Sequence, residues 1–445
     1  MTRIIVSALC LSLILTNLCG GQVEPVSPRM YSLDECIQLA EKHNANLIAA
    51  AQSYKAAKSR VWTGWGALLP RLDSDLSYSR TVYGPSEFPR YDPLLGKVVL
   101  DTVGVRSSKG YRAQISAGQS WSLGGYNFYQ IKEYNASRSV AKNEYELQRQ
   151  ELILNVKQAY FDVLKAKMLL EIQKEALRRA SEQLKIAQTR YELGAASFSD
   201  VLKAKVQYGD AELALINADN SLKLAKARLN SWMGQNVDSP IDVEENLTVP
   251  EFDYSYENAV KESMKQNPRV KRAQSDLRAA EAYLGMTRSG FFPNLNLSGS
   301  YSWSNPELDQ LKYIRERDYS WSLSASVSLN IFDNFGKNYN LSWAKAARNS
   351  KREDFSQTKR EVALELKQAF LNVQQANEKI NLTKEKVKSA REDLDLVQEK
   401  YNLGAANILE LLDAEVSFKQ AEADQVEALY DYNLAVAQFE KAMGR

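Results

Sequence analysis

The sequence predicts a mixed α and β membrane protein: a β-barrel shared between copies of the chain and continued by a long α-helical coiled coil. Three observations carry this. The chain is written twice, each copy holds two strands that alternate apolar with small polar residues, and each copy holds helices longer than one globular core needs. The repeat is read at an offset of 210, where AQTRYELGAASFSDVL (187–202) lies on VQEKYNLGAANILELL (397–412). Upstream the offset is 223, with SLDECIQLAEKHNANL (32–47) on SYENAVKESMKQNPRV (255–270). Extra residues in the first copy, between Pro70 and Ser116, account for the change.

Taken in order, residues 1–21 read as a secretory signal: Arg3, an apolar run from Ile4 to Leu15, then small residues at Cys19, Gly20 and Gly21. Lipidation at Cys19 is the alternative, but Leu18 sits where a small residue is expected. After cleavage only Cys36 remains, so no internal disulfide forms, and a small buried helix residue is its expected role. The first repeat is 22–234: a helix, strands at about 72–82 and 111–123, and a long helix pair turning at 194–196. The stretch 84–104 between its strands is expected to be a loop. Residues 235–254, with Pro240 and Pro250, read as a connector. The second repeat is 255–445, with strands at about 295–303 and 319–331 and a helix turn at 404–406.

In YSWSLSASVSLNI (319–331) every second residue from Ser320 to Ser328 is serine, and the others are aromatic or aliphatic. YRAQISAGQSWSL (111–123) alternates likewise, with Gln119 the exception. Period two places one face on an apolar medium and one on a polar medium. A tiny, nearly uncharged polar face with aromatics near the strand ends suits a membrane barrel wall. Four strands cannot close, and open edges in lipid cost several kcal/mol per unsatisfied group. The chain must borrow strands from copies of itself; two copies give eight strands, which side chains fill, and three give twelve, which open a channel.

The helices carry heptads: Val156, Val163, Leu170, Leu177, Leu184 and Tyr191 in one copy, and Leu366, Val373, Ile380, Val387, Leu394 and Tyr401 in the other. The stretch from Gly125 to Tyr191 is about 100 Å long if fully helical. Composition excludes other classes. Lys+Arg number 57 against 55 Asp+Glu, a net charge of +2, which argues against a nucleic-acid binder. One His and three Cys leave little for a zinc site or a His-based triad, and His43 reads as a surface helix residue. The sequence calls for no cofactor, no metal and no catalysis.

The two-copy layout, the paired alternating strands and the tips RYELGAASFSDVL and KYNLGAANILELL resemble the TolC-like outer-membrane efflux proteins over essentially the whole mature chain. The resemblance implies a homotrimer with a twelve-stranded barrel in outer-membrane lipid and a periplasmic helical tunnel closed at its tip. It also implies a periplasmic adaptor and an inner-membrane transporter as partners.

At the turns, Gly194 and Gly404 fit the left-handed position that ends a helix. Ser197 and Asn407 suit the following N-caps, with Asp200 and Glu410 three residues on, as capping boxes. Capping alone explains both acids. The resemblance adds a role at the periplasmic entrance for Asp200, Glu410, Asp413 and Tyr401. Glu410 and Asp413 share a helix face, and six such carboxylates in a threefold ring favour cations. Where the family can carry a latch arginine this chain has Ala406, which leaves a Tyr401–Asp200 hydrogen bond as the remaining expected tie. The small apolar turns, Leu193, Gly194, Ala195 and Ala196 with Leu403, Gly404, Ala405 and Ala406, read either as plain hairpin geometry or, on the resemblance, as docking knobs for adaptor helices.

The functional expectation is a passive outer-membrane exit duct of a tripartite efflux or type I secretion system, powered by its inner-membrane partner. Its cargo would be small toxic molecules, metal ions or polypeptides. A coiled-coil surface adhesin or scaffold anchored by a shared barrel is the alternative.

Overall fold

The structure is a computed structural model that describes residues 29–244 and 249–445. The expected export signal, the Cys19 alternative and residues 245–248 of the connector lie outside the described residues.

The chain begins with β1 (Arg29–Tyr31), α1 (Leu33–His43) and α2 (Ala45–Gly66). One helix was expected here; Asn44 breaks it in two. Its extended backbone ends α1, and its Oδ1 accepts from the backbone N–H of Asn46 and Leu47, at 3.0 and 3.2 Å, to start α2. Asn267, at the matching place of the second repeat, accepts from Arg269 N at 2.9 Å and separates α5 (Tyr256–Gln266) from α6 (Pro268–Ser289). Cys36 is fully buried in α1, and burial, then the neighbouring Glu35 carboxylate, pushes its thiol up to about 12. His43 is exposed in the last turn of α1.

Between α2 and the first long helix lie β2 (Arg71–Tyr83), β3 (Ser86–Asp92), β4 (Lys97–Val103) and β5 (Arg106–Ser122). The segment expected as a loop is therefore a second hairpin, β3 on β4. Asp92 Oδ1 accepts from Leu94 N and Leu95 N, at 2.8 and 3.3 Å, to make its turn, and Gly96 takes φ +60. After α3 (Tyr126–Glu192) and α4 (Phe198–Trp232), the connector forms β6 (Ile241–Val243), parallel to β1. The second repeat continues with β7 (Asn294–Asn305), a 3-10 turn at Leu308–Tyr313, β8 (Tyr319–Ser328), α7 (Gly336–Asn402) and α8 (Ile408–Met443). Strand β8 ends three residues earlier than expected, and β5 starts five residues earlier.

The four long strands make one antiparallel sheet in the order β2-β5-β7-β8. Its register puts serine against serine on one face, with Ser298–Ser324, Ser300–Ser322 and Ser302–Ser320 hydroxyl pairs at 2.7 to 3.0 Å. The other face carries the aliphatic and aromatic residues, and there the exceptional Gln119 donates to Ala67 O at the end of α2, at 2.9 Å. Each of α3 and α7 has 67 residues, about 100 Å of helix. The helices lie side by side: α4 on α3, α3 on α8, α8 on α7. The α7 heptad keeps Leu366, Val373, Leu394 and Tyr401 buried. In α3 the stripe holds for Val156, Val163 and Leu170, whereas nearer the tip the buried residues are Ala180 and Ala187, on a different side of the helix. No described helix is long and apolar enough to cross a membrane.

The connector straps the helix pairs together. Tyr160 donates to Glu244 O at 3.0 Å and Tyr432 to Pro250 O at 2.6 Å, and Phe252 packs on Phe370 and Phe439.

Candidate functional site

The candidate residues gather at the two helix tips. Both turns are built alike. Gly194 (φ +70) and Gly404 (φ +73) adopt the left-handed conformation. Gly194 N donates to Tyr191 O and Ala195 N to Arg190 O; Gly404 N donates to Tyr401 O and Ala405 N to Lys400 O, at 2.7 to 3.1 Å. This pair of bonds closes a helix with a left-handed cap and satisfies carbonyls that the helix leaves open. Leu193, Gly194 and Ala195 are exposed, as are Leu403, Gly404 and Ala405; Ala196 and Ala406 are half-buried. Leu193 and Leu403 are 78% and 84% exposed.

The returning helices are capped, but not identically. Ser197 and Asp200 form the full expected box: Asp200 N donates to Ser197 Oγ at 3.3 Å, and Ser197 N to Asp200 Oδ2 at 3.2 Å. At the second turn Asn407 Oδ1 accepts from Leu409 N and Glu410 N, at 2.9 and 3.1 Å. Glu410 does not bond the Asn407 backbone in return. Among the described residues its carboxylate accepts only from the Asn407 side-chain amide, at 2.6 Å, the counterpart of the Ser197 hydroxyl that donates to Asp200 in the first copy. The box at 407–410 is therefore half of the one expected. Asp413 lies one turn further along α8, exposed, with no hydrogen bond or ion pair among the described residues.

Tyr401 is 5% exposed, in a cluster with Leu394, Ile408, Leu411, Ala414 and Phe418. Its first-copy counterpart Tyr191 is exposed and packs on Phe198, with ring centroids 5.5 Å apart. No hydrogen bond joins Tyr401 to Asp200 among the described residues, whose own bonds close the Ser197 cap. A different tie holds the tips. The Arg190 guanidinium lies 4.4 Å over the Tyr401 ring and donates to Tyr401 O, at 3.1 and 3.2 Å, and to Asn402 O at 3.3 Å. It covers the carbonyl end of α7 with a cation, the charge that end favours. The sequence held a hint: Arg190 and Lys400 are basic residues in the last turn at matching positions.

Above the tips a polar layer crosses between the hairpins. Gln183 Nε2 donates to Gln398 Oε1 at 3.0 Å, and Arg179 sits 5.3 Å over the Phe418 ring. Glu415 is buried in this layer, and loss of solvent raises its carboxyl against the opposing pull of Arg179. Sequence reasoning passed over it. The signal was its spacing, since Leu411, Glu415 and Phe418 fall on one helix face.

Among the described residues no group of three or more His, Cys, Asp or Glu is placed to hold a metal ion. What the geometry offers is a wall, a long helical sleeve and a polar tip.

The comparisons with known proteins agree with that geometry. The model of the outer membrane efflux protein family matches residues 36–235 and 259–445. Outer membrane protein TolC of Vibrio cholerae is 23% identical over 415 residues, covering 93% of this chain and 90% of that protein. The Campylobacter jejuni CmeC outer membrane channel has the same fold, with a TM-score of 0.80 at 19% identity over 93% of this chain and 85% of that one. The open state of the Neisseria gonorrhoeae MtrE outer membrane channel follows at a TM-score of 0.77 and 20% identity, over 93% and 88%. The chain belongs to the outer membrane efflux protein family, and it is a non-enzymatic outer-membrane efflux channel.

Proposed function

We propose that three copies close into a twelve-stranded barrel that spans the outer membrane, with their helices forming one periplasmic tunnel that ends at the tips. The observation that carries this is the open sheet. Strands β2 and β8 are edges with unpaired backbone, and lipid offers them no hydrogen bonds. The helix order α4-α3-α8-α7 is open at the same two ends of the repeat pair, so one ring operation pairs β2 with the next copy's β8 and α4 with its α7. In this reading residues 1–21 are removed on export, and 235–254 joins repeats 22–234 and 255–445.

The tip is the gate. Asp413 and Glu410 turn toward the axis and give a ring of carboxylates; Asp200 fixes the start of α4, and Tyr401 is held shut by Arg190. The turns 193–196 and 403–406 present apolar knobs to the helices of a periplasmic adaptor, which couples the duct to an inner-membrane transporter. Cargo leaves passively along the water-filled path, and the energy enters at the inner membrane.

Native mass measurement of the detergent-solubilised protein tests the ring: the expected mass is three chains, and a stable, fully folded single chain overturns it. In planar bilayers Asp413→Asn is expected to lower cation preference. Unchanged selectivity removes Asp413 from the constriction.

A further inference from the structure

One face of the sheet is mainly apolar from rim to rim, interrupted by the uncharged Gln119 and Ser74. On β5 that face runs from Trp121, at the end joined to the helices, to Tyr111 near the far rim, and it carries no charge. Ten residues at about 3.3 Å each, tilted about 40°, span about 25 Å along the membrane normal, the height of a barrel's apolar band. Tyr111 faces Tyr78 of β2, with ring centroids 4.8 Å apart, as an interfacial aromatic pair would.

The next pair on the same face, two residues outward, is Arg80 opposite Lys109. Both are exposed, and neither makes an ion pair among the described residues. Like charges directly across an antiparallel ladder repel, and an anion lying against both would relieve that repulsion. Their depth names the anion. Two residues beyond the aromatic pair, facing outward from the barrel, is the level of lipid headgroups. We propose that Arg80 and Lys109 together bind the phosphate of a phosphorylated glycolipid headgroup in the outer leaflet. Arg80 supplies a planar fork for the phosphate oxygens and Lys109 a point charge beside it. With three copies the barrel carries three such sites, each beside the β2 edge that closes on its neighbour.

The inference rests on the trimeric reading above, with the helices on the periplasmic side, and one experiment separates the two. The purified protein in zwitterionic detergent is titrated with a bisphosphorylated acyl-glucosamine disaccharide and followed by native mass spectrometry. The trimer mass reports the ring; the adducts report the site. Up to three glycolipids per trimer are expected on the wild type. Arg80→Gln with Lys109→Gln is expected to weaken retention by on the order of tenfold or more. Arg112→Gln, next to Tyr111 but on the polar face, is expected to leave it unchanged. The dephosphorylated disaccharide is expected to bind weakly to the wild type, an arm that needs no variant to fold, and inorganic phosphate is expected not to compete. Equal retention by the double variant, equal binding of the dephosphorylated lipid, or competition by free phosphate overturns the proposal. So does a double variant that loses trimer mass while its remaining trimers keep their glycolipid, since the cations then pair with a neighbouring copy such as its Asp318.

Discussion

Two side chains near the tips carry more of its energetics than their positions in the sequence suggest. Arg190 ties α3 to the last carbonyls of α7 through three hydrogen bonds and a ring contact. Arg190→Ala leaves those carbonyls to water and uncovers Tyr401. Hydrogen exchange at Gly404 and Ala405 is expected to quicken by on the order of tenfold, with Arg190→Lys restoring only part, because a point charge cannot span both carbonyls. Unchanged exchange would show that the turn closes without the clamp. Glu415 acts in the opposite direction. Its folded carboxyl is raised by burial, so its protonation favours the fold. That contribution is full below the ordinary carboxylate range and is lost as pH rises through the raised value. Glu415→Gln removes the buried charge and is expected to be more stable than wild type at pH 7, by on the order of 1 kcal/mol. The difference should shrink toward zero on acidification, read as melting temperature against pH. A variant less stable than wild type at pH 7 would mean that Arg179 more than offsets the lost hydration.

At the scale of elements, the two tip hairpins stop where glycine lets them. A Cβ at Gly404 would meet nothing within 4 Å, so Gly404→Ala isolates backbone strain from packing. The left-handed residue is expected to cost about 1–2 kcal/mol, seen as lower stability of the α7–α8 hairpin in urea unfolding. Gly285→Ala is the contrasting case, because its Cβ would fall 2.3 Å from the Tyr129 ring where α6 crosses α3. Most elements were legible because their signals are local: serine every second residue in β8, a seven-residue stripe in α7, Ser197 three residues before Asp200. The β3–β4 hairpin was not, since Pro89 and Asp92 read as loop residues and only pairing with the partner strand uses them as edge and turn. Asn44 and Asn267 were visible as a matched pair, but a helix period runs through both, and only the caps reveal the breaks. The Arg190–Tyr401 contact joins residues 211 apart, and nothing local in either segment encodes how the two tips meet.

For the whole molecule, the deciding feature is what one chain leaves uncovered. Val206 and Leu213 of α4 are seven residues apart and 64% and 61% exposed; Leu382 and Leu396 of α7, at a similar distance from the tips, are two heptads apart and 72% and 50% exposed. Both pairs lie on the two helices that stand at the outer positions of the row. Single exposed apolar residues are ordinary on a protein surface, but heptad-spaced pairs on both open sides form half of a coiled-coil seam each. The proposed ring would bring α4 of one copy onto α7 of the next and cover both, while it pairs β2 with β8. Val206→Lys with Leu213→Lys then discriminates between surface and seam. If these positions face solvent, two lysines change stability by no more than about 0.5 kcal/mol each and leave assembly alone. If they face a neighbouring copy, three seams each bury two unpaired ammonium groups, and the helical content of the chain should survive while the trimer does not. Circular dichroism reads the first and native mass the second. Trimers at wild-type abundance in the variant would place the seam elsewhere on the helices, and the barrel edges alone would then have to hold the ring.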